Sequence, residues 1–266
     1  MENVYDYSKF NNNSNFCRYV TIKQLVTKNK KSIVHKAIIF FTDFDIKRFN
    51  ISEHFLLHGT FIYPTVFMQT IIFMYYDNIT DKMIPGIFII INNKTYEGYV
   101  DCFNYIKNYI YRFNNNEEKL NFKTFTKDYE IALYNAFNFV FNKNKNIRHI
   151  GCFFHYMQNI RKFLQKNNLT TLKNRPMYNV VIKFCKTLPL ENLDINSIKK
   201  KLLENFKIHK KELENFILYF NENWLNYFND GTLNLKNIDI KFRTNNCLEN
   251  FNRILKRHFN MKKIYP

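Results

Sequence analysis

The 266-residue chain is 46% apolar and 18% aromatic, enough for a packed core in one large domain or two small ones, which marks it as globular. Its longest apolar stretches, around Phe67–Tyr76 and Ile84–Ile91, fall well short of the roughly 20 residues that cross a bilayer, and no early apolar run resembles a signal peptide, so a soluble, intracellular protein with no membrane partner is expected. Forty Lys and Arg against 22 Asp and Glu leave a net charge of +18, which suits a polyanionic partner such as DNA.

That charge has a second source. Lys, Asn, Ile, Tyr and Phe are abundant while Gly and Pro stand at five each, the bias an AT-rich genome imposes. The five cysteines (Cys17, Cys102, Cys152, Cys185, Cys247) form no Cys-x-x-Cys pair, which argues against a zinc finger and a disulfide framework and reads as reduced core thiols.

Residues 1–50 are polar, with an Asn-rich stretch at Asn11–Asn15 and one short apolar segment, Ala37–Phe41, and they read as an extension or small subdomain. From Phe55 to Tyr76 the residues are β-branched and aromatic around Pro64, which predicts two strands joined near that proline; Pro85–Asn92 fits a third. Tyr99, Phe103, Ile106, Ile110 and Phe113 recur at steps of four and three, predicting an amphipathic helix capped by Thr95. A short strand, Phe122–Thr126, ends at Asp128, and a second helix carries Tyr129, Leu133, Ala136, Phe137, Val140 and Phe141. Ile147–Phe154 reads as a strand and Tyr156–Leu169 as a helix.

Beyond Pro176 the pattern is wholly helical: Ile198, Leu202 and Phe206 mark one helix, and Leu213, Phe216, Phe220, Trp224 and Tyr227 another. The expected class is therefore α/β, a mixed sheet flanked by helices and followed by a helical block. The divisions are an extension over 1–50, a core over 51–170, the helical block over 171–240, and a final helix over 241–266.

Three separated motifs point to chemistry: His58-Gly59-Thr60-Phe61; Asp128-Tyr129-Glu130 running through Asn135-Ala136 and Val140-Phe141 to Cys152-Phe153-Phe154-His155; and Arg243-Thr244-Asn245-Asn246-Cys247-Leu248-Glu249. In order and spacing, over about residues 53–258, they resemble the core of Mutator-like (MULE) transposases, with Asn142 where Pro is common. The resemblance implies a ribonuclease H-like fold with a helical insertion between the second Asp and the Glu. It also implies DDE-type chemistry, in which three carboxylates hold two Mg²⁺ or Mn²⁺ ions for DNA strand cleavage and transfer.

On that resemblance Asp128 and Glu249 are the metal ligands, and position 58 is the first carboxylate, here His58. The three are expected to converge at the carboxyl ends of the central strands. Cys152, His155, Arg243 and Asn252 match family positions of uncertain role, Asn252 standing where His is usual. Cys152 and His155 have zinc-ligand spacing but no second pair, so a packed thiol and a hydrogen-bonded imidazole are expected. Glu130 reads as a first-turn helix acid. A neutral imidazole cannot bridge two ions as a carboxylate does, and Glu53, roughly 16 Å up an extended strand, is too far to replace it.

The leading expectation is thus a transposase core descended from a metal-dependent enzyme and impaired by His58, nuclear if functional, with DNA as partner and a homodimer allowed. The ancestral site would have held Mg²⁺ or Mn²⁺, and none need remain bound. The alternatives are a domesticated, non-catalytic DNA-binding or interaction protein and, third, a Mn²⁺-dependent nuclease using His58.

Overall fold

The computed structural model describes residues 16–27, 29–60, 67–117, 120–141, 147–171, 174–191, 194–244 and 246–258; Pro64, Asn142 and Asn245 lie outside them. The chain divides into two units, Met1–Arg148 with Asn245–Pro266, and His149–Thr244.

The first unit is built on strands β1 (Cys17–Val26), β2 (Ser32–Phe40), β3 (His54–Thr60), β4 (Gln69–Asp77), β5 (Lys82–Ile91) and β6 (Thr124–Lys127). With β7 (Arg148–Gly151), in which the division falls, they form a mixed seven-stranded sheet in the order β1-β2-β5-β4-β3-β6-β7. β1 pairs antiparallel with β2, β2 with β5, β5 with β4 and β4 with β3, whereas β3 pairs parallel with β6. The segment expected to be an extension supplies β1, β2 and the helix α1 (Asp43–Ile51) from residue 17 onward. Buried and more exposed residues alternate along β2, which joins the sheet by placing Ala37–Phe40 against Phe88–Ile91.

Pro85 sits inside β5, where a proline would remove a ladder hydrogen bond. The strand accommodates it with a bulge: Phe73 faces Ile87 and Met74 faces Pro85, leaving Gly86 unopposed. Pairing with β2 begins only at Phe88, so Pro85 faces no partner on that side.

One face of the sheet packs against α1, α2 (Tyr96–Phe113) and α3 (Ile131–Phe141). Thr95 caps α2 as expected, its hydroxyl accepting from the Gly98 amide at 3.2 Å, and Tyr99, Phe103, Ile106 and Ile110 are buried. Phe137 of α3 lies parallel to Phe125 of β6 at 3.8 Å and edge-on to Phe73 and Phe103. On the opposite face Leu56, Ile72 and Met74 hold Leu248 of α9 (Asn246–His258), with Cys247, Phe251 and Leu255 beside it.

The second unit is helical apart from the end of β7: α4 (Phe153–Lys166), α5 (Arg175–Thr187), α6 (Ile195–Asn205), α7 (Lys210–Asn223) and α8 (Leu225–Asn229). Phe153 and Phe154, expected to close a strand, begin α4 instead, and α4 itself groups with the helical unit rather than with the core segment 51–170. Phe163 stacks on Tyr219 at 3.9 Å and Tyr156 meets Trp224 edge-on.

Phe137 touches more aromatic neighbours than a replacement methyl group could hold. We expect Phe137→Ala to lose about 3–5 kcal/mol in urea unfolding, because five surrounding rings cannot collapse together to fill the void.

Candidate active site

The parallel pairing of β3 with β6 fixes the site. Leu57 stands opposite Lys127, so the next residue on each strand, His58 and Asp128, emerges at the same level of the sheet. His58 Nδ1 lies 3.1 Å from Asp128 Oδ2. On the other side of the ring, His58 Nε2 lies 3.2 Å from Glu249 Oε1. Glu249 reaches it because Leu248, its neighbour in the first turn of α9, is fully buried among Leu56, Ile72 and Met74. The three residues that the resemblance singles out therefore converge, with the imidazole between the two carboxylates.

The ring's protonation follows from this geometry. A carboxylate only accepts, so each ring nitrogen must donate, and an imidazole that donates from both nitrogens is the cation. Burial opposes that charge, since His58 is only 8% exposed, but the hydrogen bonds and charges of Asp128 and Glu249 outweigh it and raise the pKa from 6.5 to about 9.

The same arrangement tests whether a metal pair fits. The ring lies between the two carboxylates, and while protonated it has no lone pair to give a metal; only a ring that has lost a proton could serve as a ligand. As the residues stand, the charge between Asp128 and Glu249 is supplied by His58.

A second network lies on the other face of β3. Gly59 has no side chain, and a Cβ there would fall 1.7 Å from Gln69 Nε2, so the glycine is what lets Gln69 lie across the strand. Gln69 Nε2 donates to Glu130 Oε2 at 3.0 Å, and the Tyr99 hydroxyl sits between Gln69 Oε1, at 2.5 Å, and the Glu130 carboxylate. Burial, then the charge of Glu130, pushes the Tyr99 phenol far above its ordinary value. Glu130 is thus the residue before α3, its carbonyl accepting from Tyr134, and its carboxylate is an anchor between strand and helix rather than a first-turn helix acid. Asp128 joins both faces, because its Oδ1 accepts from the Glu130 amide at 3.1 Å while Oδ2 faces His58. Sequence spacing does not connect Gln69, Tyr99 and Glu130, and only the fold brings them together.

Of the remaining motif residues, Cys152 and Arg243 have structural settings. Cys152 is fully buried at the start of α4 and His155 follows in its first turn. The Arg243 carbonyl accepts from the Phe153 amide at 2.8 Å, and its guanidinium Nε donates to Ile238 O at 2.7 Å. Asn252, one helical turn after Glu249, is 3% exposed, and neither atom of its amide has a hydrogen-bond partner among the described residues. Glu53 is held 2.6 Å from Lys123. A scan against family models finds no match, and comparison with curated proteins and with solved structures finds none either.

Because the folded-state pKa of His58 lies above 6.5, its ion pairs contribute fully below about pH 6.5 and are lost as pH rises through about 9. We expect the unfolding free energy of the natural chain, measured by urea titration, to fall across that window by an amount on the order of 3 kcal/mol. His58→Gln should flatten the profile there, and an unchanged profile would show that the ring is not charged.

Proposed function

We propose that the chain is a DDE-type transposase core of the Mutator-like kind in which His58 has taken the place of the catalytic metal ions, leaving a DNA-binding protein without strand-cleaving activity. The observation that carries this reading is the imidazole held between Asp128 and Glu249, at 3.1 and 3.2 Å. Support for the ancestry comes from where the three residues stand: His58 on the first strand of an antiparallel run β3-β4-β5, Asp128 directly after the strand that pairs parallel with it, and Glu249 on a late helix packed back on the sheet. Those are the positions the resemblance assigns to the three carboxylates of a ribonuclease H-like site. The helical unit between residues 149 and 244 stands where that family carries its insertion.

Non-catalysis follows from charge. Two divalent ions need three hard anionic ligands and bridging geometry, and here two carboxylates face a cation. DNA binding rests on the net charge of +18, which gains affinity by releasing phosphate counterions. With no base-reading element among the described residues, phosphate contacts would dominate, so the binding would discriminate little among sequences.

The reading is tested with labelled duplex DNA. Fluorescence anisotropy should give an affinity that drops roughly tenfold or more between low and moderate salt, with little difference between unrelated sequences. Neither Mg²⁺ nor Mn²⁺ should support strand cleavage by the natural chain. Calorimetric titration should show weak or no Mn²⁺ uptake, and His58→Asp should raise it by restoring a third carboxylate. Cleavage by the natural chain that Asp128→Asn abolishes would overturn the non-catalytic reading, and salt-independent or absent binding would remove DNA as the partner.

A further inference from the structure

Strand β1 stands at the end of the sheet order, so among the described residues one side of its backbone has no neighbouring strand. Ten residues long and rich in Tyr, Val, Thr, Ile and Leu, it is the kind of edge that proteins usually guard with charge, proline or brevity. None of these guards operates. The strand has no proline, and its two cations are already engaged on the helix-covered side: Arg18 pairs with Asp43 at 2.9 Å and Lys23 with Asp101. Tyr19 on that side stacks on Tyr105 of α2.

The other side is apolar. The β1–β2 register places Val20 beside Ile38 and Gln24 beside Val34, and Ile22, Val26 and Val34 are 65%, 68% and 50% exposed. Leu248 and its α9 neighbours cover Leu56, Ile72 and Met74 on the same face.

We propose that this edge pairs with a second copy of the chain, the two β1 strands joining antiparallel about a two-fold axis into one continuous sheet. The sequence is self-complementary for that geometry. With Ile22 on the axis it meets its own counterpart, Val20 meets Gln24, and Lys23 meets Thr21, so no two cations stand opposite each other. Lys36, the charged residue beside Ile22 on β2, would be three strand spacings from its counterpart, roughly 14 Å, beyond the screening length of about 8 Å at physiological salt. Pairing supplies the backbone donors and acceptors of β1 that meet no strand among the described residues, and it merges two exposed apolar rows, the mode of strand addition by which sheets recruit partners.

Light scattering on the full chain, run in high salt after nuclease treatment so that no nucleic acid bridges two copies, tests the proposal. The natural chain is expected to be a concentration-dependent dimer. Ile22→Lys, which brings two lysines together on the axis, should weaken dimerisation at least tenfold, with Val26→Lys as a second variant in case the first folds poorly; circular dichroism checks the fold of each. Val180→Lys, at an exposed position on α5, should leave the dimer intact. A natural chain that stays monomeric at every concentration, or well-folded edge variants that dimerise as tightly as it does, would overturn the assignment.

Discussion

Two carboxylates that approach a common point from opposite sides repel each other unless a cation stands between them, and the geometry of the first unit depends on how that charge is met. Asp128 is carried there by backbone pairing and Glu249 by side-chain packing. The β3–β6 register leaves Asp128 no other level than that of His58. The buried Leu248 sets the pitch of α9, so the following residue turns toward the sheet. Neither constraint can relax to separate the acids without unzipping a strand pair or opening an apolar cluster. A protonated ring with one nitrogen toward each acid satisfies both at once, and its partial burial strengthens the attraction even as it raises the cost of the charge.

Glu130 shows why the nearest extra acid does not change this balance. It lies two residues from Asp128, but Gln69 and Tyr99 hold its carboxylate, with Lys94 at 4.0 Å. That network belongs to the α2 and α3 side of the sheet, while His58 shares its side with Leu56 and α9. The strand itself separates the two groups. Gly59 makes the division workable, because the Gln69 side chain lies where a Cβ would otherwise be. One glycine thus sets an amide bridge against one face of β3, next to the residue that carries the ion pairs on the other.

Where local chemistry decides structure, the sequence was legible. The α2 stripe and its Thr95 cap, the aromatic face of α3, and the helices marked by Leu202 and by Phe216 and Phe220 all form near their expected positions, because period and capping are properties of neighbouring residues. Residues 17–40 are harder to read, since an edge hairpin that spreads Lys, Gln and Thr over both faces carries less apolar signal than a buried strand. Phe153 and Phe154 suit a strand as well as a helix, and at the end of β7 the Phe153 amide meets the carbonyl of Arg243, ninety residues away in sequence, as α4 begins. The convergence of His58, Asp128 and Glu249 was anticipated only through motif order; nothing in the local composition of the three segments relates them. That the ring stands between the acids, donating to both, is a matter of register and distance that no spacing encodes.

On the proposed reading, the exchange of a carboxylate for an imidazole removes chemistry without removing charge balance. A metal-dependent centre that merely lost one acid would leave two carboxylates close together with no fixed counter-ion, and its stability would rise and fall with the supply of divalent ions. Histidine instead builds the counter-ion into β3, so the sheet and the docking of α9 hold together without ions from solution. The consequence for a polyanion is direct. Divalent ions at a catalytic centre would join the nucleic acid to it, whereas here the attraction must come from Lys and Arg on the surface, which act at a distance, respond to salt and discriminate little between sequences. Loss of the metal site and retention of a strongly basic chain are therefore compatible, since the charge that would close the centre and the charge that would bind DNA reside on different residues.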